Sequence, residues 1–262
     1  MAKLRVAVCE LDPEMEPGSK GWKSLSRDVR GGRPDLFLIN EMPFGPWISA
    51  RDAFDPEVWR VSLESHEKGV ALLGELGAQV VLGSRARERD GRRVNEAFVW
   101  TREGGYEGVH TKQYFPDELG YYEARWFQPG ESHFRVVAAG PVRVGFLICT
   151  EVMFNEHARH YGRQGAQLIA VPRAVGRASL PRWEVAMKMA AIVSGCYVLS
   201  SNRSGLDSKG QRFGGCGWVI DPHGDLVART SPASPVVFCD LDTDFVAGAQ
   251  KEYPCYVPEL GR

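Results

Sequence analysis

No apolar run in the 262-residue chain reaches the roughly 20 residues needed to cross a bilayer. Charge of one sign is also scarce. The 32 Lys and Arg residues are balanced by 33 Asp and Glu, and the basic ones are dispersed and not gathered into a stripe, so no nucleic-acid or polyanion partner is implied. The six cysteines (Cys9, Cys149, Cys196, Cys216, Cys239 and Cys255) lie far apart, without a C-x-x-C pair or matching histidines. This excludes a zinc-finger pattern and a disulfide scaffold, and no metal is expected. The opening MAKLRVAVCEL enters a strand pattern at once and lacks the apolar core of a signal peptide. A reducing, cytoplasmic setting is therefore expected. Neither an internal repeat nor a low-complexity linker interrupts the chain.

What is present is enough apolar residue, 44%, to bury one substantial core, with strand and helix patterns in alternation. Strands are expected at Leu4–Cys9, Leu36–Ile39, Val80–Leu82, Ala97–Trp100, Leu168–Val171, Cys196–Ser201, Cys216–Ile220 and Val236–Asp240. Helices are expected near Trp22–Val29, from Asp55-Pro56 to the stop at Gly77, from Asn155 to His160, and from Ser179 to Ser194. In the second of these, Val58, Val61, Val70, Leu73 and Leu76 set the apolar spacing. The pattern is that of one mixed α/β domain over residues 1–262 with a two-layer sheet interior.

The central stretch is PVRVGFLICTEVMF, residues 141–154. Val142, Val144, Phe146, Leu147 and Ile148 read as a buried parallel strand, and Cys149 follows at its carboxyl end, where open α/β sheets place their chemistry. A cysteine at a strand-to-helix corner projects outward, its thiolate is favoured by amide dipoles, and the next N–H, that of Thr150, can face an oxyanion. A small core hydrophobe is the alternative reading of any one cysteine. Two other sites share the pattern of a charged residue ending an apolar strand. Glu41 follows Leu36–Asn40, and Lys112 ends Gly108–Lys112. A carboxylate there is costly unless paired or used. Acid, amine and thiol also fit one reaction, in which the acid takes the thiol proton, the thiolate attacks a carbonyl, and the ammonium meets the oxyanion.

On these residues the chain resembles the nitrilase, or carbon–nitrogen hydrolase, superfamily. The similarity lies in LFLINEMPFGPW around Glu41, VHTKQYFPDE around Lys112, and VGFLICTEVMFNEHARHYGRQGAQLIAVP around Cys149, and it continues through CYVLSSNRSG and FGGCGWVIDPHGDLVA. The resemblance implies a four-layer αββα sandwich, pairing into a homodimer or higher homo-oligomer, and a Glu41–Lys112–Cys149 catalytic set that needs no cofactor. It also implies a second glutamate near the lysine, for which Glu123 matches best and Glu118 is the alternative. Met153 stands where carbamoyl-amino-acid hydrolases resembling this chain carry an arginine, and Thr150 where nitrilases carry tryptophan. A small-molecule carboxamide is therefore the expected substrate, with an N-carbamoyl amino acid or a nitrile as alternatives. A silent binding subunit of the same fold is the non-enzyme alternative, against which all three reactive residues stand.

Other residues keep two readings. Phe44, Trp47, Trp126, Phe127 and Trp183 flank the motifs and can line a pocket or fill the core. Arg173 and Arg177 can receive an acidic substrate group or serve as solvated helix-entry charges. His110, His157 and His160 can be bases for Cys149 or surface residues, the latter being the more ordinary role. Cys9, Cys196, Cys216 and Cys239 are expected to pack within strands.

Overall fold

The computed structural model describes residues 3–131 and 133–259, so the expected domain limits at 1 and 262 fall outside the described residues. In chain order the strands are β1 (Lys3–Leu11), β2 (Leu36–Leu38), β3 (Val80–Arg89), β4 (Arg92–Thr101), β5 (Gly105–Thr111), β6 (Asp117–Glu118), β7 (Tyr121–Tyr122), β8 (Val137–Ala139), β9 (Val142–Phe146), β10 (Leu168–Pro172), β11 (Tyr197–Leu206), β12 (Arg212–Gly214), β13 (Trp218–Ile220), β14 (Leu226–Arg229) and β15 (Val236–Asp242). The helices are α1 (Lys20–Gly32), α2 (Pro56–Ala71), α3 (Glu123–Trp126), α4 (Asn155–Arg163), α5 (Leu180–Ser194) and α6 (Thr243–Ala249).

Two sheets result. The first runs β5-β4-β3-β2-β1 and is closed by β15 antiparallel to β1; the second runs β8-β9-β10-β11, continued by β13 and β14. Strand β1 joins them, because after pairing with β15 up to Cys9 it turns to β11 at Glu10 and Leu11. The period-2 alternation of β1 sorts its side chains between layers. Leu4, Val6 and Val8 pack between the sheets with Leu36, Leu38, Val80 and Leu82 and with Val144, Phe146 and Leu168 of the second sheet. Ala7 and Cys9 face outward with Phe37, Ile39 and Val81, against Trp22, Leu25 and Val29 of α1. Tyr161 of α4 and Met187, Ala190 and Ala191 of α5 cover the second sheet. This is the expected αββα layering.

Local chemistry explains the helix limits. Ser19 caps α1 by accepting the Trp22 N–H, Asp55 caps α2 with Pro56 in its first turn, and Gly195 ends α5 at φ +64°. The spacing within α2 differs from expectation. Trp59, Ser62, His66 and Gly69 face inward, whereas Val61 is exposed. A Cβ on Gly69 would sit 2.1 Å from the Phe44 ring, so glycine is what lets that helix approach. The short strand expected at 80–82 is also extended, because Ser84–Arg89 continues β3 into a long hairpin with β4 around Asp90-Gly91. Its charged residues hide the alternation. Among the described residues, no helix is long and apolar enough to cross a membrane.

Candidate active site

The site forms where parallel strands of both sheets end. Past β2, the Ile39 N–H still bonds to Leu82 O (2.8 Å), after which the chain leaves the sheet and buries Glu41 completely. Past β5, which runs in the direction of β3, comes the fully buried Lys112, its N–H held by Asn95 O (2.9 Å). Past β9, Cys149 opens a 3₁₀ turn over Cys149–Met153 with φ +49°. That left-handed conformation is uncommon for a residue with a side chain and is the kind of backbone strain that clusters at functional sites.

Lys112 Nζ donates to Glu41 Oε1 at 2.8 Å and to Glu123 Oε2 at 2.6 Å. Asn95 Nδ2 donates to the same Glu41 oxygen at 2.8 Å. Glu41 Oε2 is buried without a partner among the described residues. Glu123 opens α3 and is 1% exposed, whereas Glu118 is exposed on β6, so the carboxylate beside the lysine is that of Glu123. Burial would lower the Lys112 pKa, but the Glu123 and Glu41 carboxylates bonded to it outweigh that and hold the ammonium charged. Burial, reinforced by Glu41, pulls the Glu123 pKa upward, and the Lys112 ammonium bonded to it opposes that shift. Burial and the Glu41 carboxylate keep the Cys149 thiol well above its ordinary value, while Lys112 and the Ala174 amide, which donates to the sulfur, act in the other direction. The resting sulfur is thus a thiol beside a carboxylate with one free oxygen. This arrangement can move a proton from sulfur to oxygen and stabilise an anion near Lys112.

The residues expected to line the site separate into layers. Trp47, Trp126 and Phe127 join Met42, Ala174 and Phe213 in one buried cluster, which meets the reactive groups at Met42, next to Glu41, and at Ala174, whose amide reaches the Cys149 sulfur; Thr150 is half-buried in the Cys149 turn. Phe44 belongs elsewhere. It packs on Trp22 (5.5 Å between centroids) in the outer core, because α2 closes over it at Gly69. Trp183 lies on α5 over the second sheet, with Nε1 bonded to Ser179 Oγ at 3.1 Å. Arg173 is not a solvated charge. Its carbonyl accepts the Glu41 N–H (3.4 Å), but its fully buried side chain turns to Ser200 Oγ (2.8 Å), the Cys216 carbonyl and the Trp218 face (4.1 Å). Burial pulls its pKa down to about 9. Met153, at the last position of the Cys149 turn, is 38% exposed.

Two further corrections concern neighbours. Cys216 precedes β13 in a left-handed turn (φ +62°), with Arg229 Nη2 at 3.1 Å from its sulfur, so it packs half-buried against the core from a turn and not from within a strand. His110 is only 6% exposed and bonds to Glu151, whereas His160 is exposed and His157 bonds to the Tyr114 hydroxyl. Asn95 and Glu151 are polar residues of the site that sequence reasoning missed. The signal for Glu151 was its place two residues beyond the cysteine; Asn95 had none, since its partner is 54 residues away. Among the described residues, no group of three or more His, Cys, Asp or Glu is placed to hold a metal ion.

A thiol, a carboxylate and an ammonium converging at the sheet ends of an αββα sandwich mark a hydrolase of carbon–nitrogen bonds. The chain belongs to the carbon-nitrogen hydrolase family, whose model matches residues 5–251, and it acts on C–N bonds other than peptide bonds. It is 27% identical over 246 residues to a citrullinase from Francisella tularensis, covering 87% of this chain and 85% of the relative. It is 25% identical over 262 residues to an omega-amidase from Danio rerio, covering 97% and 94%. A carbon-nitrogen hydrolase from Helicobacter pylori shares the fold with a TM-score of 0.83 at 20% identity, over 97% of this chain and 94% of that one. An amidase from Nesterenkonia superposes with a TM-score of 0.75 at 21% identity, over 93% and 92%.

Proposed function

We propose that the protein is a thiol amidase of one domain, which hydrolyses a small neutral carboxamide to acid and ammonia or amine through a thioester on Cys149. The carrying observation is the asymmetric Glu41 carboxylate, with one oxygen fixed by Lys112 and Asn95 and the other free and buried. Glu41 takes the thiol proton as sulfur attacks the amide carbon. The carbonyl oxygen becomes an oxyanion facing Lys112 and the Thr150 N–H. Glu41 then returns the proton to the leaving nitrogen, and the C–N bond breaks to leave the thioester. Water, deprotonated by Glu41, attacks that thioester and releases the carboxylic acid and the thiol. Glu123 keeps Lys112 in place throughout. Each step uses groups of this chain and water alone.

The aromatic cluster of Trp47, Trp126, Phe127 and Phe213, which includes Met42 next to Glu41 and Ala174 next to the Cys149 sulfur, supports an apolar or aromatic acyl group. The citrullinase and omega-amidase relatives support amide-type substrates. The test is ammonia release from matched amides, nitriles and N-carbamoyl acids, with mass spectrometry after brief exposure. The expected result is the highest kcat/KM on the carboxamide, an acyl adduct on Cys149, and no turnover by a folded Cys149→Ala variant. An adduct on another cysteine, or a carbamoyl substrate preferred by tenfold or more, overturns the reading.

We also propose that the protein acts in the cytoplasm as a homodimer or larger homo-oligomer. Six free cysteines suit a reducing compartment, and α5 leaves Val185 (66%) and Met189 (43%) exposed with Ile192 and Val193 half-buried. Light scattering at micromolar concentration is expected to return at least twice the mass of one chain.

A further inference from the structure

The hydrolytic steps leave one completely buried carboxylate of the Cys149 turn unused. Glu151 Oε2 accepts the Ile148 N–H at 2.7 Å and the His110 Nε2–H at 2.9 Å, and Oε1 accepts the Gln113 N–H at 2.8 Å. The first bond is ordinary helix-start capping, in which a carboxylate in the first turn takes the cap residue's amide. The other two reach across 41 and 38 residues to the segment that carries Lys112, and they bracket it at positions 110 and 113. Nε2 must be the donor, since a carboxylate only accepts. Phe134 lies 5.0 Å from the imidazole and stacks at 3.6 Å on His157, which packs the ring in place. Among the described residues, no Lys or Arg forms an ion pair with Glu151, so these three donors are what compensate its burial.

We infer that Glu151, held by His110, is a positioning residue that ties the turn carrying Cys149 to the strand end carrying Lys112. It thereby sets the separation of the attacking sulfur from the ammonium that faces the oxyanion. Without it, the two reactive groups are linked through the sheet beneath them and through Glu41 and the Arg173–Ala174 peptide, none of which holds the backbone of the Cys149 turn to the backbone around Lys112. The inference rests on the proposed roles of Cys149 and Lys112.

Two substitutions at His110 separate positioning from stability. His110→Phe keeps the ring volume and removes the donor, whereas the side-chain amide of His110→Gln can still donate to Glu151. With active sites counted by the acyl adduct, His110→Phe is expected to lose about 10- to 100-fold in kcat with KM within about threefold of the parent, the effect of a displaced reacting group. His110→Gln is expected to recover most of that loss, whatever the two thermal midpoints are. Glu151→Gln, which keeps one acceptor oxygen, is expected to fall between the parent and His110→Phe. Unchanged kcat per active site in His110→Phe, equal losses in both His110 variants, or a loss confined to KM overturns the inference. Hydrolysis that survives Cys149→Ala overturns the underlying reading instead, which keeps the two failures distinguishable.

Discussion

Two glutamates, one on a strand of the first sheet and one just past a strand end, are almost equally buried and oppositely furnished. Glu96 on β4 is 1% exposed, and both its oxygens are engaged: Oε1 by Arg87 (2.8 Å) and the Tyr106 hydroxyl (2.5 Å), Oε2 by Arg89 (3.2 Å). Glu41 is wholly buried, yet one oxygen holds both of its partners and the other has none among the described residues. A carboxylate removed from water is costly unless its lone pairs are met. The Glu96 network meets them and joins neighbouring strands of a hairpin. The Glu41 arrangement leaves one oxygen for the proton transfer from the neighbouring thiol proposed above. The neighbouring positions Asn95 and Glu96 divide these roles between the two faces of one strand. Burial alone therefore does not distinguish structure from chemistry, whereas the count of satisfied lone pairs does.

The largest expected effect sharpens that contrast. Glu41→Gln preserves shape and the contact with Lys112 but cannot accept the thiol proton, so kcat/KM on an amide is expected to fall about a thousandfold. The urea midpoint is expected to stay level or rise, since a strained charge has been removed. Next is Glu123→Gln, expected to lower kcat about 10- to 100-fold by loosening Lys112. The smallest effect on turnover belongs to Glu96→Gln. It is expected to cost about 1–3 kcal/mol of stability, the cost of under-satisfied buried partners, with kcat within about twofold. If Glu96→Gln impaired turnover as severely as Glu41→Gln, the distinction drawn between the two carboxylates would collapse.

Glu41, Lys112 and Cys149 were legible in the sequence because each puts a reactive group directly after an apolar strand. That local contrast survives without knowledge of the fold. Glu123 was legible only through resemblance, since YYEARW carries no signal that its glutamate is buried. The bonds of Asn95 and of the His110–Glu151 pair were hidden for a simpler reason: their partners are 54 and 41 residues away, a separation only the sheet order brings together. Aromatic residues misled in a different way. The motif positions of Phe44 and Trp183 correctly indicated burial, but apolarity does not say which layer receives a side chain, and both lie outside the cluster that meets the reactive groups at Met42 and Ala174. Ser84–Arg89 failed as a strand signal because Arg85 and Arg87 carry charge toward partners that sequence alone does not reveal, Glu67 and Glu96.

The link between Arg173 and Ala174 has a consequence for how such a chamber can diversify. Its carbonyl receives the Glu41 backbone N–H, and the N–H of the same peptide unit reaches the Cys149 sulfur. A peptide unit is a flat plate of fixed covalent dimensions. Acid and nucleophile are therefore spaced by a gauge that contains no side-chain atom. The gauge belongs to the backbone, so side chains elsewhere around the site can change in size or charge while it keeps its length, and selection on what enters is decoupled from selection on the spacing of the groups that cut it.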